Sequence, residues 1–237
     1  MKEKPLALEA YEQLAEAYAA KVDTKPHNAY YERPATLSLL PDVNGLAVLE
    51  AGCGPGVYTE WLVRHGAKVV AVDASAKMLK YARERVGDAA MFYQADLGNE
   101  LPMLEDNAFD LVLSALTMDY LADWDLVFNQ YYRVLRSHGS FVFSVGHPFF
   151  DFTYFKTDDY FVTEQVECEW RGFGVTVTMP SYRRSLSTLI NTLLDAGFEL
   201  RQIIEPKPTA RFKELDPERY EKLMRQPAFL CVKARKP

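Results

Sequence analysis

The apolar positions of this chain follow two periods. Over residues 6–22, Tyr11, Leu14, Tyr18 and Val22 recur three or four apart among Glu and Ala, the spacing of one helical stripe. From Gly45 the rhythm changes to apolar runs at 46–51, 68–72, 91–95, 109–116 and 141–145, separated by helical segments. The first of these segments, 55–65, is closed by Gly66; the second is capped by Ser75 and carries Met78, Leu79, Ala82 and Val86 on one face. The third starts at Asp123 or Trp124, turns Val127, Tyr131, Val134 and Leu135 inward, and is stopped by Gly139. Strands alternating with helices predict βαβ units, hence a doubly wound α/β fold on a mostly parallel sheet. Between the two regimes, residues 23–34 read as a loop, and Pro34 opens a short helix ending near Leu40.

Beyond the fifth run the pattern breaks. Residues 149–161 hold seven aromatics in thirteen positions, followed by alternating runs near 164–170 and 175–179, which predict an inserted β-rich flap. A helix bearing Leu186, Leu189, Ile190, Leu193 and Leu194, closed by Gly197, then leads to a strand at 198–204. A polar helical excursion near 216–225 precedes a last strand at 229–234.

Composition narrows the class. With 237 residues, 49% hydrophobic and 25% charged, the chain can bury a sizeable core. No apolar run approaches the roughly 20 residues of a membrane span, and the start Met1 to Pro5 does not lead into a signal-type apolar core, so a cytoplasmic protein is expected. Three widely spaced cysteines lack disulfide-framework or metal-type spacing, so no metal is expected. The net charge of −6 argues against general attraction to nucleic acid or anionic lipid. Residues 199–237 do carry ten Lys/Arg against six Asp/Glu, but the two signs are interleaved, as on a solvated face.

In an open parallel sheet, ligands bind beyond the carboxyl ends of the strands, where strand order reverses. The residues at those ends are therefore the candidates. Glycines at 52, 54 and 56 let the backbone pass beneath a bulky ligand. Their spacing departs from a dinucleotide fingerprint, because position 57 is Val, and there is no Lys-Ser/Thr pair of a P-loop. Asp73, twenty-one residues past Gly52, stands where a carboxylate accepts from both hydroxyls of a ribose, the alternative being a cap for the helix at Ser75. Asp96 can accept from an adenine amino group while the N–H of Leu97 donates to a ring nitrogen, the alternative being a turn aspartate. A nucleoside with a small zwitterionic tail fits these positions.

The motifs Glu50-Ala51-Gly52-Cys53-Gly54-Pro55-Gly56, Asp73, Ala95-Asp96-Leu97 and Phe109-Asp110-Leu111-Val112, in this order and at these separations, resemble those of class I S-adenosylmethionine-dependent methyltransferases, and within them the bacterial small-molecule group. The resemblance implies a Rossmann-like methyltransferase fold, a seven-stranded sheet whose last strand is antiparallel, and S-adenosylmethionine as methyl donor with S-adenosylhomocysteine as product. Carried over residue by residue, it places Ala51, Gly52 and Gly54 under the methionine part of the donor and Asp73 on the ribose. Ala74 and Met78 would flank the adenine, Asp96 and Leu97 would read its edge, and Ser114 and Leu116 would line the far wall; Glu50 and Ala95 join the donor-binding set through the same motifs. In many members an N-terminal segment covers the donor; the candidates here are Tyr18, Tyr30 and Arg33, the last pairing with the methionine carboxylate. The chain then divides into an N-terminal helical cover, 1–40, and a methyltransferase domain, 41–237, with an insertion at about 148–182 that is either a substrate lid or a packing or dimer surface.

Where the methyl acceptor is a hydroxyl or an ammonium, something must take its proton, and His147, Asp119 and Tyr120 are the candidates. In the competing reading His147 packs beside Pro148, and Asp119 and Tyr120 open the next helix. Three functions remain in play: transfer to a small molecule by a monomer or homodimer, transfer to tRNA or another nucleic acid, and donor binding without transfer.

Overall fold

A computed structural model describes residues 4–237. The first three residues of the segment 1–40 lie outside that description. In chain order the elements begin with α1 (Leu8–Lys21) and α2 (Arg33–Leu39), then β1 (Ala47–Ala51), α3 (Val57–Arg64), β2 (Lys68–Asp73), α4 (Ala76–Val86), β3 (Ala90–Gln94), β4 (Phe109–Ala115), α5 (Trp124–Val134) and β5 (Leu135–Gly146). The insertion follows as α6 (Pro148–Phe155), β6 (Glu164–Trp170) and β7 (Val177–Arg183). The chain closes with α7 (Leu186–Asp195), β8 (Glu199–Ile204), α8 (Ala210–Leu215), α9 (Pro217–Leu223) and β9 (Phe229–Arg235).

Seven strands form one sheet in the order β3-β2-β1-β4-β5-β9-β8. Pairing is parallel from β3 to β5, and β9 runs antiparallel to both of its neighbours, β5 and β8. The strands nearest the middle are apolar on both faces because helices cover both. Leu49, Val112, Phe141 and Phe143 meet α5 and α7 on one side, whereas Val48, Leu111, Leu113 and Val142 meet α3 and α4 with α2 on the other. Helix starts carry the expected oxygen caps. Ser75 accepts from Met78 N, Asp123 from Leu126 N and Ser185 from Thr188 N.

The structure redraws several predicted elements. The loop over 23–34 contains a wide helical turn, Asn28–Glu32, running straight into α2, so Pro34 sits inside the first turn of α2. Helix α5 ends at Val134, and Leu135 already belongs to β5; Gly139, expected to stop the helix, lies inside that strand beside an irregularity where His138 takes a positive φ of 67° and the register with β4 shifts. The aromatic run begins as helix α6, because His147 caps it by accepting from Phe149 N and Pro148 takes the first position. Only the later part of the insertion is β, a hairpin pairing Glu164 with Arg183 through to Trp170 with Val177. The polar excursion is two short helices, α8 and α9.

The hairpin packs on α1. Ala10 and Leu14 of α1 share an apolar cluster with Phe173, Val177 and Met179, and Lys21 and Lys25 donate to the carbonyls of Phe173 and Gly172 at 2.8 Å each. On its other flank α1 is tied to α4. Glu12 accepts from Ser75 Oγ at 2.5 Å, and Arg85 forms a two-pronged pair with Asp23 in the turn after α1.

No helix among the described residues is long and apolar enough to cross a membrane.

Phe141 stands at the centre of an aromatic group, with ring centroids 4.8–5.6 Å from Phe128, Tyr131, Phe143 and Phe198. Phe141→Ala is expected to cost about 3–5 kcal/mol in urea unfolding, since the surrounding rings cannot collapse into the space; a loss below about 1 kcal/mol would show that this layer repacks freely. Glu50, 3% exposed on β1, accepts from Thr59 Oγ1 at 2.5 Å, and burial pushes its pKa from 4.5 to about 8. The folded chain therefore keeps a proton that the unfolded chain releases, and this group makes stability fall as pH rises from 4.5 to about 8. Glu50→Gln should flatten that part of the stability-versus-pH curve, read by denaturant midpoints at pH 5 and pH 8; an unchanged slope would show Glu50 ionised in the fold.

Candidate active site

At the carboxyl end of β1 the chain turns sharply. Gly52 has φ +85°, and a Cβ there would lie 2.1 Å from Thr117 Oγ1, so glycine is required both by dihedral and by the β4 loop beside it. A Cβ on Gly54 would meet nothing within 4 Å. That side of the turn faces open space. Gly52 N and Cys53 N both donate to Val72 O, locking the turn to β2, and Gly54 N donates to Asp73 Oδ2 at 2.8 Å. Ser75 N donates to the other carboxylate oxygen of Asp73, also at 2.8 Å. Burial raises the pKa of Asp73 from 3.8, an effect opposed by these two N–H groups. Each oxygen keeps a lone pair free of the backbone.

The space above the turn is a cavity partly open to solvent. From the strand ends it is lined by Asp96 and Leu97 after β3, Asp73 and Ala74 after β2, Gly52 to Pro55 after β1, and Ala115 to Thr117 after β4. Met78 of α4 and Tyr58 of α3 add side walls. The roof is N-terminal, formed by Pro5 to Leu8, Tyr11 and Tyr18, with Asn28, Glu32 and Arg33 at one end. Tyr11 and Tyr120 share a 2.8 Å hydroxyl hydrogen bond that joins roof to floor, and burial holds both phenols well above their ordinary pKa.

The structure brings together Tyr18, Arg33, Gly52, Gly54, Asp73, Ala74, Met78, Asp96, Leu97, Leu116 and Tyr120 on this one cavity. Other residues singled out from the sequence lie off its wall. Glu50 points beneath the turn to Thr59, and Ala51 and Ala95 serve through the backbone, Ala51 O accepting from Ser114 Oγ and Ala95 N donating to Asp73 O. Ser114 is fully buried and spends its hydroxyl on that bond between β4 and β1. Tyr30 packs with Tyr31 and Phe212 on the far side of the wide turn, its carbonyl accepting from Thr209 N.

Two of the three proton-acceptor candidates are likewise elsewhere. His147 borders a separate shallow recess beside Phe149 and Arg225, with Nε2 2.9 Å from Glu205 Oε1 and Nδ1 capping α6. Asp119 lies behind Tyr120, accepting from Gly146 N at 2.8 Å, and its pKa is pushed up to about 6 by burial. Nor does any residue of the aromatic run 149–161 line the cavity; its rings pair mostly with one another, as Phe149 and Phe152 do with Tyr160. The helical stripe pointed at Tyr11 and the strand-end rule at Thr117 without either being singled out. Glu32 and Asn28 gave no signal, because their approach to the cavity depends on the wide turn, and Tyr58, which opens α3 directly after the glycine turn, was not singled out.

The methyltransferase domain family matches residues 49–143, from β1 to β5. A structure from Listeria monocytogenes, described as an S-adenosylmethionine dependent methyltransferase, superposes with a TM-score of 0.75 at 30% identity, covering 87% of this chain and 98% of that one. An S-adenosylmethionine dependent methyltransferase from Mesorhizobium loti gives 0.70 at 31% identity, with 86% and 97% covered. A malonyl-[acyl-carrier protein] O-methyltransferase from Pectobacterium atrosepticum is 36% identical, but over only 46% of this chain and 42% of that one. Identity near 30% across almost the whole length of two such structures, on a sheet of the order described above, means that this protein belongs to the S-adenosylmethionine-dependent methyltransferases and takes its methyl group from that donor.

Proposed function

We propose that this enzyme transfers the donor's methyl group to a small-molecule acceptor inside the cavity roofed by α1. The observation that carries this reading is the enclosure itself. Tyr11 and Tyr18 stand over the strand ends, so an acceptor must reach the donor beneath this roof, which suits a compact group. The basic C-terminal part supports the same choice, since Arg201, Arg211, Lys213, Arg219 and Arg235 are each engaged with a nearby carboxylate. The malonyl-[acyl-carrier protein] O-methyltransferase named above supports a small acceptor group as well.

In this reading Asp73 accepts from the ribose hydroxyls with the lone pairs its backbone contacts leave free. Asp96 and Leu97 take the adenine edge, between Ala74 and Met78, and the open side of Gly54 admits the methionine chain. Leu116 and Thr117 form the wall towards β4, and α1 with residues 5–8 is the cover. The bound donor supplies a sulfonium methyl already activated for in-line displacement. What the chain adds is alignment of the acceptor atom at roughly 3 Å and exclusion of water by the roof. Of His147, Asp119 and Tyr120, Tyr120 is the one on the wall; its raised pKa suits it to orient an acceptor by donating a hydrogen bond and unsuits it to act as a base near neutrality.

Screening metabolite pools with a coupled homocysteine-release assay tests the reading, and turnover with a small acceptor is the expected outcome. Turnover confined to RNA would overturn it. Asp73→Ala should weaken S-adenosylhomocysteine binding by about 1.5–3 kcal/mol in calorimetric titration, because hydrogen bonds to a charged acceptor are lost. An unchanged affinity in the folded variant removes Asp73 from the site.

A further inference from the structure

Transfer to a hydroxyl, a thiol or an ammonium leaves a proton that some group must accept, so the bases around the cavity limit what the acceptor can be. Among the described residues, no histidine or lysine lines it. Its four tyrosines, Tyr11, Tyr18, Tyr58 and Tyr120, and its one cysteine, Cys53, keep their protons near neutrality, because burial holds each above its ordinary pKa. The three carboxylates already serve other donors. Asp96 accepts from Gly98 N at 2.9 Å and Asn99 Nδ2 at 2.6 Å, Asp73 holds the N–H groups of Gly54 and Ser75, and Glu32 accepts from the hydroxyls of Thr36, Ser144 and Tyr58 at 2.6–2.9 Å. Burial raises Asp73 and Glu32, and these bonds oppose the rise. None of the three shares a hydrogen bond with Tyr11 or Tyr120, and Asp119, raised to about 6, lies behind Tyr120 and off the wall.

The same wall offers a hydrogen-bond donor with nothing to receive it. Tyr11 and Tyr120 bring two hydroxyl hydrogens to one shared bond of 2.8 Å, and neither hydroxyl has another partner among the described residues. One hydrogen is therefore unspent. Thr117 beside them has none to spare, since its Oγ1 reaches the carbonyls of Gly52 and Ala115. Tyr120 stands in the short turn Met118–Tyr120 after β4, the next strand end along the sheet from the glycine turn after β1. A donor laid across the β3, β2 and β1 ends presents its sulfonium over the glycines, so an acceptor on the β4 side meets this phenol pair. The lining also includes Leu6, Leu8, Leu116 and Leu121, apolar groups that bare an anion of water.

We propose that the acceptor presents a carboxylate and leaves as a methyl ester, one oxygen held by the unspent hydroxyl hydrogen of the Tyr11–Tyr120 pair while the other attacks the methyl. A lone pair of the attacking oxygen forms the new O–C bond as the methyl's bond to sulfur breaks, and the electron pair of that bond stays on sulfur. The carboxylate and sulfonium charges cancel, and no proton is released. A wall without a base is suited to that chemistry. Before transfer the sulfonium is the counter-ion of the carboxylate, so a single neutral donor suffices to fix the anion, without the bidentate grip by which a guanidinium would occupy both oxygens. This rests on the small-acceptor reading and deepens it by naming the reacting group.

Incubating the full chain with methyl-tritiated S-adenosylmethionine and a small-molecule cell extract, then treating the labelled products with dilute alkali, tests the proposal. Methyl esters of carboxylic acids give up the label as volatile methanol, whereas methyl ethers, methylamines and methyl thioethers keep it. Release of most of the label as methanol, above an enzyme-free control, is expected. Label that survives alkali in small molecules would overturn the carboxylate and leave the small-acceptor reading standing; label found only in RNA, supplied in a parallel incubation, would overturn both. The double variant Tyr11→Phe, Tyr120→Phe keeps both rings and removes both hydroxyls. Its initial rate of alkali-labile labelling at limiting extract should fall about tenfold or more, as for a lost hydrogen bond to a charged partner. S-adenosylhomocysteine should bind it in calorimetric titration as it binds the unaltered protein, which also reports that the variant is folded. An unchanged rate, or a parallel loss of S-adenosylhomocysteine binding, would take the pair out of acceptor binding.

Discussion

Between β1 and β4 the order of the sheet reverses, and α3 and α4 lie on one face while α5 covers the other. The two connections leave the sheet in opposite directions at that point, so no helix closes the gap over the strand ends. The tight fit of Gly52 against Thr117 holds the edges of the gap together, and the bonds from Gly52 N and Cys53 N to Val72 O fix its depth. The remaining features build on that opening. Asp73 is oriented by the turn's own N–H groups, and α1 exists as a roof because there is a crevice to roof.

Around this crevice the chain buries acids at some cost. Glu50 meets the cost by staying protonated beneath the turn, with one threonine hydroxyl as partner. Glu32 is treated differently, with three hydroxyls whose hydrogen bonds oppose the rise that burial imposes on its pKa. Burial raises both glutamates, and they differ in how many hydroxyls oppose that rise, one at Glu50 and three at Glu32. Farther out, Asp119 sits between the N–H of Gly146 and the field of Arg184, behind the wall and away from the ligand space.

The parallel half of the sheet was legible because strands covered on both faces read as unbroken apolar runs and end in residues with distinct chemistry, as at Asp73 and Asp96. The closing antiparallel strand followed from the family resemblance. The wide turn at Asn28–Glu32 was hidden by Pro26 and Asn28, which locally favour loops; only its packing on Phe212 and Phe229 through Tyr31 makes the helical form favourable. Helix α6 was hidden by aromatic residues whose local preference is for strands, although His147-Pro148 is a helix-start pattern. The convergence of residues 36, 58 and 144 on Glu32 joins α2, α3 and β5, and no spacing rule on one chain segment reports such a meeting.

The roof helix is fastened along both edges, to α4 through Glu12 and Asp23 and to the inserted hairpin through Lys21, Lys25 and an apolar cluster. A helix held in this way has its position set from two sides, by α4 and by the inserted hairpin. The insertion, though it lines none of the cavity, is thereby part of what holds the roof in place.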